Sequence, residues 1–98
     1  MPPLTPASVL RRVEGIAWRV IEGEAVLVNV RSDEVVHLNP TASFLWSRLD
    51  GETDLRTIAR EMTSRYQVDE ETALADLVEF ADRLLGQGLV EAVDAASR

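Results

Sequence analysis

The proline at position 40 constrains this chain more than any other single residue. It stands within Glu34–Trp46, EVVHLNPTASFLW, where a β-like alternation passes into a helix-like spacing with almost no room for a loop. The residue before a proline is held out of the α region, while proline itself is tolerated at the first helical position. Asn39 is therefore predicted as an N-cap with Pro40 at N1, so that a strand ends and a helix begins within two residues. In the strand, period-two alternation sets Val36 and Leu38 on one face and Val35 and His37 on the other. Leu38 leads directly into the helix, which makes Val36 and Leu38 the expected core pair.

Upstream, IAWRVI and AVLVNV are rich in β-branched and aromatic residues, and EGE around Gly23 separates them as a hairpin turn would. A second break at Arg31–Glu34 completes a three-strand meander. Downstream, Ala42, Leu45, Trp46 and Leu49 predict a first helix that stops at Asp50-Gly51, with Gly51 as its C′ residue. Thr53 or Asp54 caps a second helix, whose stripe is Leu55, Ile58, Ala59, Met62 and Tyr66. A third helix opens at Val68-Asp69 and ends near Gly86 or Gly88, and LVEAV adds a short extended tail.

Ninety-eight residues make one domain. The expected fold is α+β and winged helix-turn-helix-like, a three-stranded antiparallel sheet followed by three helices. Three of the four prolines fall in the first dozen residues. Residues 1–15 are therefore read as an irregular arm, 16–93 as the domain and 94–98 as a tail.

Chemistry has little to work with. Cysteine is absent, which removes disulfides, thiolate metal sites and thiol catalysis. His37 is the chain's only histidine, so a histidine-based metal site is excluded. Ser43 and Thr41 lie close in sequence but belong to a helix start without a glycine elbow. Asp76, Glu79 and Asp82 occupy the helix face opposite the apolar residues and read as a solvated face. No cofactor, metal or catalytic residue is expected. The net charge of −7, with every basic residue an arginine, argues against nucleic acid and anionic membranes. No apolar run is long enough to span a bilayer and no secretory signal opens the chain, so a cytoplasmic protein is expected.

Two features are left over. The third strand of a meander lies at a sheet edge with unpaired backbone groups, and EVVHL carries little to blunt it. The third helix has apolar residues Ala73, Leu74, Leu77, Val78, Phe80, Ala81, Leu84 and Leu85 over an arc of roughly 160°. Either both flanks of that arc are buried internally, or one is spare. A spare flank beside the strand edge would wall a groove, in which an extended peptide adds as a further strand against Leu77, Phe80 and Leu84.

HLNPTASFLWSRLDG, then LRTIAREMTSRY and ALADLVEFADRLLGQGLVE, all after a short β meander, resembles the PqqD-like family over roughly Ile16–Val93. The resemblance implies a winged-helix-like peptide-recognition element that binds the leader segment of a ribosomally made precursor and presents its core to modifying enzymes. It places the leader along the third strand, at Glu34, Val35, Val36, His37 and Leu38. The facing helix would supply Ala73, Asp76, Leu77, Phe80, Ala81 and Leu84. The implied partners are a leader peptide and a leader peptidase or cyclase, in lasso-peptide biosynthesis, with no modifying activity in this chain. The alternatives are a pyrroloquinoline quinone pathway peptide chaperone, or an acidic winged-helix protein-interaction or regulatory module.

Overall fold

The structure, a computed structural model, describes residues 4–93. Its elements in chain order are β1 (Val9–Arg12), β2 (Ile16–Ile21), β3 (Glu24–Asn29), β4 (Glu34–His37), α1 (Pro40–Ser47), β5 (Asp50–Asp54), α2 (Leu55–Arg65), α3 (Glu70–Gly86) and β6 (Val90–Ala92). The expected meander is present as an antiparallel sheet in the order β2-β3-β4, and the three helices follow it. Glu22 and Gly23 both have positive φ, 53° and 82°, as a two-residue primed hairpin turn requires.

The sequence reading missed a second antiparallel sheet, ordered β5-β1-β6. Residues 1–15 are therefore not an irregular arm throughout, because Val9–Arg12 form its central strand and Val9 and Leu10 are buried. The segment before β1 is also tied down. The carbonyls of Pro6 and Ser8 accept from the amides of Arg56 (2.9 Å) and Leu55 (3.0 Å), two donors that the start of α2 cannot satisfy internally. Gly51 departs from expectation too. Helix α1 already closes at Arg48, and Gly51 takes its positive φ of 81° inside β5, where an added side chain would press on Arg11. Residues 94–98, read as a tail, lie outside the described residues.

The core gathers where the helices meet the inner face of the meander. Trp46, Leu45, Leu49, Leu55, Ile58 and Leu77 are sealed with Leu10 and Leu27. Tyr66 sits at the exposed end of α2 and stacks edge-on against Phe44 at 6.0 Å.

Each helix start carries a side-chain cap, the first at the residue expected and the second at one of the two expected. Asn39 accepts from the Ala42 amide at 2.8 Å, Asp54 from the Thr57 amide at 2.8 Å, and Asp69 from the Thr72 amide at 3.2 Å. The Thr57 hydroxyl and amide hold the Asp54 carboxyl below its ordinary pKa, and those of Thr72 do the same for Asp69. A carboxyl whose pKa is depressed on folding adds stability that is present above the unfolded value and lost as pH falls through the folded one. The melting temperature is therefore expected to fall as pH drops below about 4. In a paired Asp54→Asn and Asp69→Asn variant this acid-dependent fall should be smaller in thermal melts followed by circular dichroism.

Candidate functional site: the groove between the edge strand and the third helix

The geometry of β4 follows from what precedes and follows it. The Asp33 amide donates to the Asn29 carbonyl at 2.8 Å, and the Leu38 amide to the Ala25 carbonyl at 2.9 Å. Between these ends the register pairs Asn29 with Glu34, Leu27 with Val36 and Val26 with His37. Antiparallel ladders alternate bonded and non-bonded pairs. The backbone groups of Glu34, Val36 and Leu38 therefore turn toward β3, and those of Val35 and His37 turn outward. Among the described residues, the two N–H and two C=O groups of Val35 and His37 have no backbone partner along that edge.

Ser43 fixes this edge relative to the helices. Its buried hydroxyl accepts from the Ala25 amide at 2.7 Å and donates to the Leu38 carbonyl at 3.2 Å, so it joins α1 to the end of the meander. The hydroxyl's one donor and one of its two acceptor sites are thus committed to backbone.

Between β4 and α3 lies a cavity of about 340 Å³. Val36, His37, Leu38 and Asn39 line it on the strand side, with Ala42 at its floor. Helix α3 contributes Phe80, Arg83 and Leu84 on the opposite wall, with Gln87 as its C-cap. The walls are mainly apolar and the rim is polar. Arg83 is held by Glu79 at 2.7 Å, and its guanidinium carbon lies 6.0 Å from the Phe80 ring centre.

The structure brings together only part of the expected site. Val36, His37, Leu38, Phe80 and Leu84 meet at the cavity. Val35 is 55 % exposed on the outer face of the sheet, and Glu34 is exposed at the start of the strand. Ala73, Leu77 and Ala81 are each 0 % exposed and belong to the core. The centre of the wide arc is thus consumed internally, and the groove takes the flank beginning at Phe80. That flank continues onto the polar side, because Arg83 and Gln87 follow Phe80 at i+3 and i+7. Asp76, four residues before Phe80, is exposed one turn away on the same side. Arg83 and Gln87 were missed because apolar periodicity carries no signal for polar rim residues. Their spacing from Phe80 would have found them. Asn39 and Ala42 reach the cavity only because α1 starts immediately after β4.

Among the described residues no group of acidic or histidine side chains is placed to hold a metal, and no helix is long and apolar enough to cross a membrane.

Comparisons with known proteins bear on this arrangement. The family described as Coenzyme PQQ synthesis protein D (PqqD) matches residues 24–90, which span β3 to the start of β6. A solved structure described as TbiB1 in complex with the TbiA(beta) leader peptide superposes with a TM-score of 0.75 at 25% identity, covering 83% of this chain and 94% of that one. Another, lasso peptide synthetase B1 complexed with the leader peptide, gives a TM-score of 0.74 at 27% identity, covering 84% and 96%. No curated protein matches the chain significantly.

Proposed function

Because the chain belongs to the PqqD family, we propose that it is a non-catalytic recognition element that captures the leader segment of a ribosomal precursor peptide by strand addition to β4. The observation that carries this reading is the open edge of Val35 and His37 running beside the cavity walled by Phe80 and Leu84. A peptide paired there alternates its side chains, one set entering the cavity and the other lying beside Val35 on the outer face.

The magnitudes suit a carrier that must release its cargo. Four backbone hydrogen bonds at about 1 kcal/mol each, with three apolar side chains at about 2 kcal/mol each, give about 10 kcal/mol gross. Ordering the peptide takes back several kcal/mol. Affinity in the micromolar range or below follows.

Both solved structures described above hold a leader peptide, and one is named a lasso peptide synthetase, which favours the lasso-peptide setting over the pyrroloquinoline quinone pathway. In that setting the chain holds the leader while a separate peptidase cuts it and a cyclase closes the core.

The experiment is a fluorescence-anisotropy titration with labelled leader segments of candidate precursor peptides. Saturable binding is expected. Val35→Pro should weaken it at least about tenfold, because it deletes one outward N–H and sets a ring against the incoming strand. The fold should survive, since proline is tolerated on an edge strand where the N–H faces solvent. Affinity unchanged in Val35→Pro would remove strand addition at this edge from consideration.

A further inference from the structure

At the other side of the same sheet, β2 is exposed at five of its six residues and half-buried at the sixth. Trp18, Val20 and Ile21 keep 40%, 51% and 52% of their surface in water. The two-residue turn makes Ile21 and Glu24 the closing pair of the β2–β3 hairpin, and such a pair exchanges both backbone hydrogen bonds. Ile21, Arg19 and Ala17 therefore point their backbone groups toward β3. The Val30 amide, donating to the Gly15 carbonyl at 3.3 Å, continues the same series. Ile16, Trp18 and Val20 turn theirs outward, and among the described residues none of these N–H or C=O groups has a backbone partner. Edges of this kind are ordinarily blunted by proline, a bulge or several charges. Here the register runs unbroken and Arg19 is the single charge.

We propose that this edge pairs with the same edge of a second copy, giving a two-fold dimer with a continuous six-stranded sheet ordered β4-β3-β2-β2-β3-β4. The outward residues at 16, 18 and 20 are symmetric about Trp18, which is the condition for an isologous contact. With the axis at Trp18, each copy's Trp18 faces the other's, and Ile16 faces the second copy's Val20. Every outward N–H then meets a C=O. Arg19 lies opposite the second copy's Ala17. A one-residue slip would set inner-face side chains against outer-face ones. Centring on Arg19 instead would place two guanidinium groups directly opposite each other. The register of the self-paired edge is thus set by the placement of Trp18 and Arg19.

The two β4 edges end up about 24 Å apart, five strand spacings, and both remain open. Each copy carries a net charge of −7, so added salt should tighten the dimer by screening repulsion between them. The dimer does not depend on what β4 binds.

Sedimentation equilibrium of the full chain, from about 1 µM to about 1 mM and at about 0.1 M and about 1 M salt, tests the proposal. A single monomer–dimer equilibrium that tightens with salt is expected. Val20→Pro removes one outward N–H and leaves the β2–β3 ladder intact, so dissociation should rise at least about tenfold with a near-native melt. Val20→Lys, which blunts the edge without proline, should act in the same direction. A chain monomeric at every concentration overturns the proposal. So does a dimer that persists in both Val20 variants, or one lost in Val35→Pro and kept in Val20→Pro, which would place the contact at β4.

Discussion

Leu77→Asp is expected to abolish the native fold. Leu77 is 0 % exposed in the middle of α3 and packs in the central core. Truncating a buried leucine costs about 2–5 kcal/mol, and an unpaired carboxylate in its place adds several kcal/mol more. The sum is comparable to the whole stability of a typical domain, about 5–15 kcal/mol. Near-UV circular dichroism and a thermal melt would read the result. A cooperative, native-like melt would mean that Leu77 faces solvent and that α3 is turned on its axis relative to the arrangement described above.

Phe80→Asp, one turn along the same helix, should have the opposite profile. Phe80 is half-buried at the margin of the core and lines the cavity facing β4. Losing one apolar anchor worth about 2 kcal/mol corresponds to roughly thirtyfold in affinity. The labelled leader should therefore bind at least that much more weakly while the far-UV spectrum and cooperative melt persist. Val78→Asp is the matched control, because Val78 is also half-buried but lies at the far end of the apolar arc. It should leave leader affinity unchanged. Equal binding by the Phe80→Asp and parent proteins would rule out the β4–α3 groove as the peptide site.

These two substitutions mark where sequence reasoning reached and where it stopped. The strand-to-helix switch at Asn39-Pro40 was legible because backbone chemistry at those residues is local, and the Asn39 cap is present as expected. The edge position of β4 was legible because consecutive short strands form meanders. The facing wall was legible only to within one helical position. An apolar arc reports how much of a helix is covered, not by which neighbour, so Leu77 and Phe80 looked equivalent. They are separated by how α3 packs on α1, α2 and β6, which no window of sequence contains. The sheet β5-β1-β6 was invisible for a related reason. VLRR and DGETD lack the alternation of apolar strands, and β1 is held by partners far away in the chain.

That remote pairing has a consequence for how the molecule comes into being. The central strand, Val9–Arg12, precedes the meander, yet one of its neighbours, Val90–Ala92, follows all three helices. Beside that strand, the Leu89 amide holds the end of α3 by donating to the Leu84 carbonyl at 3.0 Å, and the Leu89 carbonyl accepts from the Val13 amide at 3.0 Å. The wall carrying Leu84 and Gln87 is therefore anchored only after the meander and all three helices have left the ribosome. A nascent chain stopped short of Leu89 would already possess its meander, but not a finished groove. The groove should therefore be completed late in folding, once Leu89 and β6 have docked.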